Sequence, residues 1–222
     1  MRPHRSLFTV VATIVMAVAL TACFTGKRGH LAPAAPAVTD PALVEILGKL
    51  ATATPTQFTA TYTLLTKFGQ INTNATVTQN TATTRSITIG NVRYLTTSSG
   101  GQTCMLSTGV CTPTLDDQDV SNLSLTHDFF QVAPAIRIRQ DATSMIKAAA
   151  LTTKQIAGQT ATCAELAFAA GNKTYCVLDD GLLAQQDTPD LRIDLVSVTP
   201  TSDNSLFSSS TVATDVPTTL AG

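Results

Sequence analysis

The stretch RSITIGNVRYL, residues 85–95, decides the fold. Apolar and polar residues alternate on both sides of Gly90-Asn91, which is the period of a half-buried strand. A two-residue Gly-Asn loop between alternating runs predicts a β-hairpin. In that register Ile89 faces Val92 and Ile87 faces Tyr94. A second turn, read over Ser98–Gly101, leads into QTCML (102–106) and sets Met105 beside Tyr94 on the same face. Upstream, QFTATYTLLTKF (57–68) puts Phe58, Ala60, Tyr62 and Leu64 on one side and Thr59, Thr61 and Thr63 on the other. Gly69 allows a turn into QINTNATVTQ (70–79), where Ile71 and Val77 stand among Thr and Asn. The register between residues 77 and 85 leaves room for a bulge.

Outward from this meander the pattern changes twice. DPALVEILGKL (40–50) reads as a helix. Asp40 suits the cap and Pro41 the first turn. Leu43, Leu47 and Leu50 share a face, and Glu45 and Lys49 form an i,i+4 pair. From Asp119 the chain reads as helical or mixed through PAIRIRQDATSMIKAAAL (134–151), with Pro134 at a helix start and an Ala-rich, helix-favouring end. Strands then resume: TTKQIAG, a turn at Gly158-Gln159, TATCAELAF (160–168), KTYCVLD (173–179), LLAQQD (182–187) and DLRIDLVSV (190–198). Hairpin connections imply a large antiparallel sheet of about 10–11 strands, with one apolar and one Thr-rich face. Helices must cover the apolar face, so the class is α+β.

Composition fits this layout. Charged residues make up 13% of the 222 residues, aromatics 5%, and the net charge is -1. Threonine, about one residue in six, suits the wet face of a sheet. The charge balance offers no basic face for nucleic acid.

The N-terminus reads MRPHRS, then the apolar run LFTVVATIVMAVAL, then TAC. A positive start and a short apolar run make a secretory signal, and the run is shorter than a membrane span of about 20 residues. Leu20-Thr21-Ala22-Cys23 resembles the bacterial lipobox, which implies cleavage before Cys23 and lipidation of its thiol. Cleavage after Ala17-Val18-Ala19, or retention as an uncleaved anchor, are the alternatives. All three place the body outside the cytoplasm, and the first anchors it to the outer face of the cell membrane. The expected parts are therefore a signal (1–22), a lipidated cysteine and Gly/Pro/Ala tether (23–38), a folded domain (39–207) and a low-complexity tail (208–222).

Five cysteines leave one over. With Cys23 lipidated, four remain in a secreted body, where disulfides are expected and three pairings are possible. The favoured pairing joins Cys104 to Cys111 and Cys163 to Cys176. The second pair comes opposite if the loop is four residues, Phe168 to Gly171. Six and twelve intervening residues are poor zinc spacings, and only His127 lies in the body, so neither metal nor cofactor is expected. No G-x-S-x-G, Gly-rich phosphate loop, H-E-x-x-H or C-x-x-C occurs. A serine triad would need His127, which reads instead as a surface or capping residue. Asp116, Asp117 and Asp119 lack the spacing of a calcium loop and read as solvated. No enzyme is expected.

The order of lipobox, tether, short helix, QFTATYTL meander, helical insert, IAGQTATC, YCVLDDGLLAQQD and a last strand running into TSDNSLF resembles the LolA-like superfamily of bacterial envelope lipid and lipoprotein carriers. That superfamily includes the mycobacterial LppX/LprG-type lipoproteins. The resemblance covers about residues 40–207 and implies a curved half-barrel closed by helices, with acyl chains held between sheet and helices. It implies an apolar wall of Phe58, Tyr62, Ile87, Ile89, Tyr94 and Met105. Leu166, Phe168, Tyr175 and Val177 would extend the wall, and Phe129 and Phe130 would sit on the helical cover. The implied ligand is a lipid or another hydrophobic molecule bound by a monomer, with an envelope protein as a possible partner. The same residues would equally make a filled core, in a lipoprotein that recognises protein or glycan through its surface.

Overall fold

The computed structural model describes residues 37–52, 54–144 and 146–208. Cys23, the signal, the tether up to residue 36 and the tail from residue 209 lie outside the described residues. Helix α1 spans Pro41–Leu50. Six strands follow: β1 (Phe58–Thr66), β2 (Ile71–Thr81), β3 (Thr84–Ile89), β4 (Val92–Thr97), β5 (Gly100–Met105) and the short β6 (Val110–Thr112). A 3-10 turn (Gln118–Leu123) and helix α2 (Val132–Ala142) form the insert. Five strands complete the sheet: β7 (Ala148–Ile156), β8 (Gln159–Phe168), β9 (Gly171–Leu178), β10 (Leu183–Asp187) and β11 (Leu191–Thr199), before a last 3-10 turn at Asn204–Phe207.

All eleven strands form one curved, open sheet in the order β6-β5-β4-β3-β2-β1-β11-β10-β9-β8-β7. Each neighbour is antiparallel. The sheet stays open, with β6 and β7 as its two edges, and the helices lie on one face: the α+β layout expected from the sequence. β6 and β7 are consecutive in sequence yet occupy opposite edges. The insert between them must therefore cross the sheet, and in crossing it covers the apolar face. Topology thus fixes where the cover goes.

The first hairpin keeps the register read from its sequence, with Ile89 opposite Val92 and Ile87 opposite Tyr94. A bulge falls between Gln79 and Thr81. The second turn differs. It is Ser98-Ser99, so Met105 pairs with Val92, and Tyr94 pairs with Thr103. The slip is two residues, an even number, so Met105 stays on the same face. Further on, Ala148-Ala149-Ala150-Leu151 is strand, not helix, because it pairs with Ala164–Ala167 of β8. Ladder bonds override the weak helical preference of alanine. The next turn is Ala157-Gly158, with φ of 50° and 76°, rather than Gly158-Gln159. Two positive φ values match the twist of a tight hairpin.

Asp40 accepts from the backbone N–H groups of Ala42 and Leu43, satisfying two donors that the first turn of α1 leaves free. Leu43, Ile46 and Leu50 are its buried stripe, and Leu47 is half-buried at its margin. α1 packs on α2 and on β7–β9. Two apolar clusters result. The larger joins Phe58, Tyr62, Leu64, Val77, Ile87, Ile89 and Tyr94 to Val120, Leu123, Leu125, Phe129 and Phe130 of the insert. The smaller sits under the helices: Leu43, Ile46, Leu50 and Ile138 against Ala164, Leu166, Tyr175 and Val177. The structure bonds Cys104 to Cys111 and Cys163 to Cys176, each directly across neighbouring strands.

Candidate functional site

The cavity floor is set by strand alternation. On β11, Leu191 and Ile193 point inward, and the register sets Ile193 beside Gln186 of β10. Leu125 and Phe129 come from the segment that follows the 3-10 turn, and Ala133 and Ile136 from α2. Together with Asp116, Asp117, His127, Asp128 and Arg137 they line a solvent-open cavity of about 640 Å³ between sheet and insert. That volume lies within the range of small-molecule sites, about 300–1,000 Å³.

The polar groups of this cavity are mostly spoken for. His127 donates its backbone N–H to Asp117 Oδ1 at 2.8 Å, and its ring Nδ1 lies 3.0 Å from Asp117 Oδ2. The imidazole also stacks, tilted, on Tyr94 with centroids 5.4 Å apart. Arg137 donates to Asp190 Oδ2 at 2.8 Å and to the Ser124 carbonyl at 3.1 Å. Burial pushes the Asp190 carboxyl up. The bonds from Arg137 and Thr188 outweigh it, and the carboxyl sits below its usual range. Gln186 is the exception. It is 1% exposed, and among the described residues its Nε2 has no hydrogen-bond partner. A buried donor left unpaired costs on the order of 1–3 kcal/mol.

The wall implied by the resemblance lies elsewhere. Phe58, Tyr62, Ile87, Ile89, Tyr94 and Phe130 are at most 2% exposed and pack in the larger cluster, with Met105 partly buried against it. Tyr62 meets Phe129 edge-to-face at 5.2 Å. Leu166 and Phe168 belong to the smaller cluster, so they do not extend that wall. Tyr175 and Val177 lie in the smaller cluster too, and of the twelve residues of the implied wall and cover only Phe129 lines the cavity. Gln186, Arg137, Leu191 and Ile193 were missed. The inward register of DLRIDLVSV, carried back across its turn, already places Gln186 beside Ile193.

His127 pairs with Asp117, so the acidic stretch is a partner for the histidine rather than a solvated loop alone. Among the described residues no cluster of His, Cys, Asp and Glu could hold a metal ion. No helix among them is long and apolar enough to cross a membrane.

No family model and no curated protein matches the chain. Among solved structures, a crystal structure of MucB is similar at TM-score 0.44 and 8% identity, over 75% of this chain and 62% of that one. MucB in complex with MucA(peri) gives 0.43 and 7%, over 75% and 58%. LprF from Mycobacterium bovis gives 0.36 and 9%, over 72% and 93%. The chain therefore spans less than two thirds of the MucB chains it matches. At these scores the likeness says nothing of ligand or partner.

Proposed function

We propose that this chain is a non-enzymatic, extracytoplasmic lipoprotein, tethered to the membrane through Cys23, that binds or hands over a small hydrophobic or lipid ligand. One observation carries the reading: the apolar-floored cavity of about 640 Å³ between sheet and insert. Burial in such a site favours an alkyl chain by roughly 0.8 kcal/mol per methylene. The lipobox supports the anchor, since two acyl chains hold a protein at a membrane stably where one is marginal. A tether keeps the cavity near its lipid source and shortens the ligand's path through water.

Native mass spectrometry of the folded domain, released from the membranes of its own host, tests this. A stoichiometric extra mass that leaves on denaturation is expected. A clean apo mass with no uptake from a host lipid extract would sink the reading. The second reading is recognition of a protein or glycan through the surface. It is favoured by the tight packing of the Phe58–Tyr94 wall, and the clean apo mass would leave it standing.

A further inference from the structure

We propose that the cavity takes an uncharged amphiphile whose ester or hydroxyl oxygen accepts a hydrogen bond from the Gln186 amide, and that it discriminates against anionic lipids. This rests on the ligand-binding reading above.

The first observation is Gln186 itself. The register of β10 holds it between Tyr175 of β9 and Ile193 of β11, on the cavity floor. The Tyr175 hydroxyl is turned to Asp141 and makes no hydrogen bond with Gln186, and Ile193 is apolar, so neither neighbour serves the amide. An amide nitrogen is a donor only, so the atom that completes it must be an acceptor. The floor around it, Leu191 and Ile193, offers none from its side chains.

The second observation is charge. Arg137 of the lining is engaged by Asp190, and the His127 ring faces Asp117. Asp116 and Asp128 are met by neutral donors, the backbone N–H of Gln118 and the Thr126 hydroxyl. A carboxylate or phosphate head entering here would approach these carboxylates with no unpaired Lys or Arg among the described lining residues to receive it. Like charges at short range disfavour binding, and a low-dielectric wall strengthens the effect. A neutral head with an acceptor oxygen meets both conditions, with its chain against Leu125, Phe129, Leu191 and Ile193.

Three probes of one chain length test this, each below its aggregation concentration, by displacement of an apolar dye from the folded domain. The probes are 1-monomyristoylglycerol, myristate and tetradecyltrimethylammonium. Monomyristoylglycerol is expected to bind at least about tenfold more tightly than myristate at neutral pH. Gln186→Leu is expected to weaken the monoglyceride about tenfold and leave myristate unchanged. Gln186→Met, unbranched and similar in length, repeats the measurement if the leucine variant does not fold. Equal or tighter binding of myristate would overturn the proposal while keeping the cavity reading. So would a monoglyceride affinity unmoved by the Gln186 variants, or tightest binding of the alkylammonium, which has no acceptor. No binding of any probe to the folded protein would overturn the cavity reading itself.

Discussion

The Tyr175 hydroxyl donates to Asp141 Oδ2 at 2.7 Å, tying the middle of β9 to the last turn of α2. Asp141 is buried, and its other oxygen receives the Lys173 ammonium, which in turn lies 4.9 Å from the centre of the Phe168 ring. One carboxylate thus holds the helical cover on the sheet. Asp141→Ala strands a buried hydroxyl and a half-buried cation. It should destabilise the domain by about 2–4 kcal/mol in urea unfolding. Asp141→Asn keeps an acceptor and should cost less. A loss below about 0.5 kcal/mol for alanine would show that the latch does not matter.

All three tyrosines of the chain are buried: Tyr62, Tyr94 and Tyr175. Burial raises the pKa of each, reinforced by the nearby charges of Asp180, Asp117 and Asp141 respectively. The unfolded chain ionises its tyrosines near pH 10 and the folded chain does not. Stability from this source is full below about pH 10 and falls as pH rises above it, because the unfolded state then binds fewer protons. Phenolate absorbance should therefore appear in one cooperative step together with unfolding. A smooth titration near pH 10 with the fold intact would contradict the burial.

Gly181 sits at φ 82°, and a Cβ there would come within 2.6 Å of the Thr52 carbonyl oxygen and 3.1 Å of that of Lys49. Both obstacles are backbone at the end of α1, so they cannot swing aside. Gly181→Ala should cost about 2 kcal/mol or more, from strain and displaced helix. A thermal midpoint equal to wild type would refute this close approach.

The Cys163–Cys176 bridge closes a longer loop than Cys104–Cys111, with separations of 13 and 7 residues. On loop entropy alone, removing the longer should cost about 3 kcal/mol, and the shorter about 0.5 kcal/mol less. Paired Cys→Ala variants, compared by urea midpoint under oxidising conditions, check the ranking.

Ala133 lines the cavity from α2 and is half-buried. Ala133→Phe should occupy cavity volume and reduce uptake of an apolar dye severalfold, while changing stability by less than about 1 kcal/mol. Unchanged uptake would place the bound molecule elsewhere and favour the surface-recognition reading.

Much of this fold is legible in strand periodicity. The Gly90-Asn91 turn and the alternation of Phe58 to Leu64 fix faces as well as elements, since a half-buried strand has period two. Alternation is blind to slips of two residues, which is why the partner of Met105 was misplaced while its face was not. Composition misled at Ala148–Ala150, where helix propensity yields to an available sheet partner. The site was less legible. Alternation marks apolar residues on the inner face, yet periodicity cannot separate a packed core from an open one. What opens the cavity is the path of the insert across β10 and β11, a long-range relation between Asp116–Arg137 and Gln186–Ile193.

The last described turn lies on the Thr-rich face. Asp203 donates its backbone N–H to the Thr59 and Thr78 hydroxyls, the Leu206 carbonyl accepts from Ser86, and that of Ser208 accepts from Arg93. Those side chains alternate with Phe58, Val77, Ile87 and Tyr94, so they project from the opposite surface to the insert. A label, dye or surface linker attached beyond Ser208 would start from the back of the half-barrel. A protein immobilised through that end on a sensor chip should leave its cavity facing solution.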